Sequence, residues 1–280
     1  MASFERDGFL LLEDVFSAAD CQRLIDAANQ ILDAQSASDV VSVFATDGEE
    51  SDAYFMESGD KVRVFYERSV VNPDGAPTRP ARSCANMIGH ALHDQVPVFD
   101  CFSRSQVFAR IAADIGILDP MLVQSMFIFK QPFIGGSIGL HQDSTYLYTD
   151  PPSVVGFWCA LEDAFADNGC VVVVPGGHRR ELRQRYRRGT DGRFGFQQLS
   201  ATTIDTMRET PIEAPQGSLL LLHGLLPHRS GPNRTPRSRH AYTLHVADGR
   251  FTYPADNWLQ RGPDLPFRGF GPRYPVAAPS

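Results

Sequence analysis

His141 and Asp143 stand two apart in the run His-Gln-Asp-Ser-Thr-Tyr-Leu-Tyr-Thr, whose composition predicts a β-strand. Alternation along a strand puts such a pair on one face, about 7 Å apart, and lets both side chains reach one metal ion. Two imidazoles and one carboxylate fill one face of an octahedron. Three positions then stay open, enough for a bidentate 2-oxo acid and for O2. The triplet alone is a weak signal. With 8 His and 33 acidic residues in 280, a His-x-Asp/Glu triplet is expected roughly once by chance. It occurs once here, early in a β-rich half, and a second histidine is available late in that half.

Two residues could supply the second imidazole. His223 ends the run Gly-Ser-Leu-Leu-Leu-Leu-His, and His228 sits just beyond it in Leu-Leu-Pro-His-Arg-Ser. Strand physics alone divides them evenly. The downstream residues add an argument: a site for a 2-oxo diacid needs a cation for the distal carboxylate, and arginine offers it a two-pronged fork. Arg239 opens the run Arg-His-Ala-Tyr-Thr-Leu-His on what should be an adjoining strand, and the Ser230 hydroxyl could bind the same carboxylate. His228, Ser230 and Arg239 therefore make a unit. The other histidines read as structural. His90 and His93 fall three apart on a predicted helix without a third ligand nearby, His178 follows Pro-Gly-Gly in a turn, and His240 and His245 receive no role.

The elements that must hold these residues fall into two regions. A helix is predicted from Ser17, with Asp20 completing a capping box and Cys21, Leu24, Ile25, Ala28, Ile31 and Leu32 forming one apolar face. Further helices are predicted over about 85–93 and 103–115, the latter with Val107, Phe108, Ile111 and Ile115 on one side. From about Met121, six short β-branched and aromatic runs alternate with Gly, Pro, Asn and Asp, the pattern of an antiparallel sandwich or closed barrel. The earlier run Lys-Val-Arg-Val-Phe-Tyr-Glu adds a strand to the same sheet. The expectation is one domain over 1–280: a mainly helical support over about 1–120, a β-core over about 121–250 and a surface tail over about 262–280. Seven arginines between Arg179 and Arg193, with Gly189 and Gly192, read as a solvated inter-strand loop; the sharper alternative is a patch that recognises an anionic substrate group.

These runs resemble the phytanoyl-CoA dioxygenase family, in the branch of phytanoyl-CoA dioxygenase domain-containing proteins. The resemblance extends in one order from FERDGFLLLEDVFSAADC through SGDKVRVFYE, QSMFIFKQP, HQDSTYLYTDP, GFWCALEDA, NGCVVVVPGGHR and HGLLPHRS to SRHAYTLH and DNWLQ, about nine-tenths of the chain. It implies a mainly β fold with a helical N-terminal layer on a double-stranded β-helix (jelly-roll, cupin-like) core. It also implies Fe(II) on His141, Asp143 and His228, which decides against His223. By the same resemblance Arg239 and Ser230 bind the 2-oxoglutarate carboxylate, and Lys61, Met126 and Trp158 surround the cosubstrate. The implied reaction consumes O2 and 2-oxoglutarate and releases succinate and CO2, with ascorbate as a supporting reductant. Related halogenases carry a small residue at the carboxylate position, so Asp143 favours hydroxylation or another oxidation over halogenation. A catalytically idle binding or regulatory module on the same fold is the competing reading. A cupin-like metalloenzyme independent of 2-oxoglutarate is another, but it would have no use for Arg239.

Bulk composition limits the partners. A formal net charge of −7 gives no chain-wide basic field for nucleic acid or anionic membrane. Five scattered cysteines without a CxxC pair, and no apolar run long enough to span a bilayer, lead to the expectation of a cytoplasmic protein with reduced thiols and a small-molecule substrate. Oligomeric state and substrate identity are not legible at this level.

Overall fold

The computed structural model describes residues 2–35, 40–44, 52–73 and 75–271. The N-terminal part runs α1 (Ala2–Asp7), β1 (Phe9–Leu12), α2 (Ala18–Asp33), α3 (Ala53–Met56), β2 (Val62–Tyr66), α4 (Ala81–Cys84), β3 (Ala85–His90), α5 (Leu92–Gln95), α6 (Pro97–Ser103) and α7 (Gln106–Asp114). The β-rich part follows with β4 (Pro120–Lys130), β5 (Ile138–His141), β6 (Val155–Ala160), β7 (Val171–Val173), β8 (Gln184–Arg188) and β9 (Phe194–Gln198). It ends with β10 (Thr210–Ile212), β11 (Leu219–His223), β12 (His228–Ser230) and β13 (Arg239–Asp248). Two sheets make the jelly roll: a larger one ordered β1-β11-β6-β13-β4-β3-β2 and a smaller one ordered β10-β7-β12-β5. The hairpin β8–β9 stands apart as a two-stranded sheet. Among the described residues no helix is long and apolar enough to cross a membrane.

The larger sheet has two different faces because side chains alternate along each strand. On β13, Tyr242, Leu244 and Val246 pack into the core beneath the helices, together with Phe108, Phe157 and Leu24. Arg239, Ala241, Thr243 and His245 turn the other way, toward the smaller sheet, where Ala241 joins Trp158, Ala160 and Leu220. Helix α2 begins at Ser17 as expected: its hydroxyl accepts from the Asp20 N–H, the Asp20 carboxylate accepts from the Ser17 N–H, and Cys21, Leu24, Ala28 and Leu32 are buried. This cap and apolar face hold the helical layer against the sheet that carries the inward residues.

Several expectations are corrected. Residues 85–90 form strand β3, hydrogen-bonded between β2 and β4, instead of a helix. Two flanking strands outweigh the segment's helical spacing, since pairing inside a buried sheet overrides intrinsic preference. The helix expected over 103–115 is present as α7, starting at Gln106; of its expected face Phe108 is buried and Ile111 and Ile115 pack against the core, while Val107 is exposed. Strand β5 stops at His141, so Asp143 lies in a following 3-10 turn and not on the strand. Part of the arginine-rich segment is the hairpin β8–β9 and not a loop. The surface tail expected from about residue 262 is held to the body of the protein as far as residue 271: Leu122 bridges Arg268, Leu265 is buried, and Arg268 reaches Asp94. Residues 272–280 lie outside the described residues.

Candidate active site

His141 and His228 are direct cross-strand partners on β5 and β12, which brings their ring centroids to 4.3 Å. The turn after β5 swings Asp143 between them. Its Oδ1 lies 3.5 Å from His141 Nε2 and 3.6 Å from His228 Nε2. One ligand atom from each of the three residues falls within 4.8 Å of the others. Metal bonds of about 2.0–2.2 Å put neighbouring ligand atoms roughly 3–3.5 Å apart, so the spacing suits one shared ion. The tautomers suit it too. His141 Nδ1 lies 2.8 Å from the Gly139 carbonyl and His228 Nδ1 lies 3.0 Å from the Leu226 carbonyl. A carbonyl only accepts, so each Nδ1 carries the hydrogen and each Nε2 lone pair faces Asp143.

Electrostatics agree with the geometry. Burial alone would raise the Asp143 pKa, but the imidazoles of His228, His245 and His141 around it hold it well below the usual carboxylate value. Burial lowers the His228 pKa to about 4, which keeps it neutral and able to ligate. For His141 burial acts in the same sense, yet Asp143 and the Gly139 carbonyl outweigh it and the net shift is upward. His141 is also the most exposed of the three, with 21% of its side chain accessible against 8% for Asp143. Its ring lies 6.1 Å from that of Tyr146, which in turn packs near Tyr186 and Phe196 of the hairpin at 6.1 and 6.2 Å.

A second group of polar side chains lies deeper between the sheets. Arg239 is 1% exposed and donates from Nη2 to the Gly169 carbonyl at 2.9 Å, while among the described residues Nε and Nη1, both buried, have no acceptor. Burial lowers its pKa to about 10. The buried Ser230 hydroxyl also lacks a partner. The two belong to one neighbourhood: Lys130 donates to the carbonyl of Gly231, next to Ser230, and Lys130 is the register partner of Arg239. A Cβ at Gly169 would lie 2.5 Å from the Gly231 carbonyl oxygen and 3.3 Å from Lys130 Cε, so only glycine lets these chains close around the arginine. Trp158 and Met126 flank Thr243 in register on β6 and β4, and the Arg239 guanidinium sits 5.5 Å from the Trp158 ring centroid. Met126 is half-buried although its strand is central.

Lys61 is not brought into this group. It precedes the edge strand β2, its side chain is 47% accessible, and its ammonium donates to Asp60 at 2.8 Å and to the Glu57 carbonyl at 3.1 Å. A lysine at a sheet edge has local acceptors, and here they satisfy it. His223 is likewise apart from the triad: its Nδ1 accepts from the Leu225 N–H, and its ring packs near His178 and Phe4. His90 and His93, expected on one helix, sit in a strand and a short helix and bond to Ser58 and Ser125.

Two residues near the site were missed in the sequence. His245 Nε2 lies 3.4 Å from Asp143 Oδ2, the oxygen turned away from the other two imidazoles. Lys130 is buried, and burial together with Arg239 lowers its pKa to about 7. Both could have been found by counting in twos along their strands from Arg239 and from Met126. Gly156 makes room for the His245 contact, since a Cβ there would meet Asp143 Oδ2 at 3.0 Å and the His245 ring at 3.6 Å.

Comparison with known proteins follows the same outline. The family model described as "Phytanoyl-CoA dioxygenase (PhyH)" matches residues 4–241. The chain is 39% identical over 281 residues to "Phytanoyl-CoA dioxygenase domain-containing protein 1" of Bos taurus, covering 95% of this chain and 96% of that protein. It is 38% identical over 262 residues to "Phytanoyl-CoA dioxygenase" of Arabidopsis thaliana, covering 92% and 91%. Among solved structures, the epimerase SnoN in complex with Fe3+, alpha ketoglutarate and nogalamycin RO superposes with a TM-score of 0.65 at 16% identity, over 98% of this chain and 93% of that one. EctD from S. alaskensis with 2-oxoglutarate and 5-hydroxyectoine gives 0.62 at 19% identity, over 94% and 87%. These likenesses carry the jelly-roll fold, and the length and identity of the sequence matches carry the family: the chain belongs to the phytanoyl-CoA dioxygenase (PhyH) family.

Proposed function

We propose that the protein is an Fe(II)- and 2-oxoglutarate-dependent dioxygenase that hydroxylates, or otherwise oxidises, a small organic substrate. The observation that carries this reading is a buried guanidinium with two N–H-bearing nitrogens unpaired, beside an unpaired buried hydroxyl, deep in the same inter-sheet space as the triad. A buried charge without a partner is costly, and a structure keeps one where a ligand completes it. A diacid that chelates a metal through its 2-oxo acid end presents its far carboxylate as that partner. Family membership supports the same reading, as do the Fe3+, alpha ketoglutarate and 2-oxoglutarate named for the structural neighbours.

The donor set fits Fe(II): two neutral imidazoles and one carboxylate form the facial set associated with this ion and leave positions for the cosubstrate and O2. Once bound, Fe(II) with 2-oxoglutarate and O2 supplies the oxidising chemistry, releasing succinate and CO2. The rest falls to the chain. His141, Asp143 and His228 hold the metal, with the carbonyls of Gly139 and Leu226 fixing the imidazole tautomers. Arg239 and Ser230 bind the distal carboxylate, and Trp158 and Met126 line the cosubstrate between the two ends. His245 Nε2, 3.4 Å from Asp143 Oδ2, would help to orient that carboxylate. Buried Ala160, Ala241 and Leu220 keep the inter-sheet space poor in water. Substrate approaches from the accessible side of His141. Lys61 drops out of this arrangement.

The test is succinate formation from 2-oxoglutarate with Fe(II), O2 and ascorbate across a panel of small-molecule substrates. Turnover that disappears in Asp143→Ala and Arg239→Ala supports the reading. Metal binding with unaltered activity in Arg239→Ala would transfer the protein to the metalloenzymes that do not use 2-oxoglutarate.

A further inference from the structure

The arginine-rich segment contributes to a concavity that the triad does not use. A pocket of about 370 Å3 is lined by Arg179, Arg180 and Arg183, by Arg208 from a separate loop and by Arg6 from α1. Three stretches of chain distant in sequence thus direct cations at one hollow, which a merely solvated charge run would not do. Several other arginines of this protein are paired: Arg185 and Arg187 with Asp256, Arg229 with Glu209, Arg237 with Asp163. Among the described residues, Arg180, Arg183 and Arg208 have no carboxylate within 4.0 Å, and the Arg183 Nε is buried without an acceptor. Three acids also line the pocket, and two are engaged. Asp7 holds Arg6, and Asp205 accepts from the Met207 N–H; among the described residues Glu181 has no ion pair. Arginine side chains left unpaired in a concave site match a tetrahedral oxyanion, which accepts several charge-assisted hydrogen bonds at once.

We propose that this pocket binds a phosphate-like oxyanion, as the free ion or as the phosphate group of a larger molecule, with Arg183, Arg180 and Arg208 as its principal donors. The pocket volume is in the range of small-ligand sites, with room for a phosphate and part of the molecule that carries it. The site adjoins the metal ligands through the backbone. Gln142, between His141 and Asp143, lines the pocket, accepts from the Arg183 N–H at 3.0 Å and donates to the Leu225 carbonyl at 2.8 Å. Pro227, just before His228, lines it as well. Oxyanion binding needs neither metal nor 2-oxoglutarate, so its test is separate from that of the proposed activity.

The experiment is titration of the full-length protein with inorganic phosphate and with phenyl phosphate at low ionic strength, followed by 31P NMR line width. Saturable binding is expected, weakened about tenfold or more in Arg183→Gln and in Arg208→Gln, the loss of one hydrogen bond between charged groups. Arg208 is exposed, so its variant tests the site without a risk to folding. Arg193→Gln, an exposed arginine of the same segment outside the pocket, should bind as the wild type does. Tighter binding of phenyl phosphate assigns the site to a group carried by a larger molecule, and equal binding assigns it to the free ion. No saturable binding, equal weakening in Arg193→Gln, or displacement by 2-oxoglutarate, which would put the anion at Arg239, overturns the proposal.

Discussion

Replacing Arg239 by Met should move the stability of the protein in opposite directions without and with cosubstrate. Burial lowers the arginine pKa from 12.5 to about 10. At about 1.4 kcal/mol per pKa unit, that is on the order of 3 kcal/mol held against the folded state near neutral pH. Methionine removes this charge but leaves the Gly169 carbonyl without its donor, a loss of about 1–3 kcal/mol. The ligand-free variant is therefore expected to be between neutral and about 2 kcal/mol more stable than wild type. With a divalent metal and 2-oxoglutarate at about 100 times its Kd, the wild type should gain about 2.7 kcal/mol. For a chain of this size that is an increase in Tm of roughly 5–10 °C. The variant loses at least two charge-assisted contacts of about 1.5–3 kcal/mol each, so its affinity should fall 100-fold or more and its ligand-induced shift should vanish. Thermal melts of both proteins, with Mn(II) and with or without 2-oxoglutarate, read the two effects together. A variant that keeps the 2-oxoglutarate shift, or one that loses several kcal/mol without ligand, refutes the reasoning: Arg239 would then be a structural cation.

Further expectations concern its neighbours. Lys130 has its pKa lowered by burial and by Arg239 to about 7 from 10.5, so between those values the unfolded chain binds more protons than the folded one. Stability should therefore rise with pH through that window, and the rise should be absent from Lys130→Met in Tm-against-pH curves. His245→Ala removes the contact to Asp143 Oδ2 and should weaken metal binding about 10–100-fold in calorimetric titration, with 2-oxoglutarate affinity preserved at saturating metal. Gly156→Ala places a methyl group 3.0 Å from the same oxygen, so metal affinity should fall in the same titration, with a cost in stability without metal of about 1–3 kcal/mol. Lys61→Ala, at an exposed ion pair, should leave 2-oxoglutarate affinity unchanged in the same titration.

How far the sequence reaches depends on what kind of order each residue obeys. The capping box at Ser17 is local, three residues wide, and is visible in the sequence because nothing distant contributes to it. The β-runs after residue 120 were legible as strands, since alternation and turn residues are local as well, but their order across two sheets is not written in any one run. Residues 85–90 were misread for the same reason: the strand exists because β2 and β4 flank it, and those partners lie elsewhere in the chain. The spacing of His141 and Asp143 is legible in the sequence, but a turn and not a strand presents the carboxylate. Strand physics left His228 and His223 level; the resemblance favours His228 by its position before Arg-Ser, and the pairing of β12 with β5 places it opposite His141. Lys61 follows from the resemblance alone, and in the structure its ammonium meets Asp60 and the Glu57 carbonyl. His245 and Lys130 escaped notice because their meaning comes from what faces them across the inter-sheet space.

The most direct test of the central claim is calorimetric titration of 2-oxoglutarate into the protein with and without Mn(II) as an oxygen-stable stand-in for Fe(II). The account predicts binding that requires the metal and is abolished in His141→Ala and Asp143→Ala. Absence of binding to the metal-loaded wild type, or equal binding without metal, would contradict it.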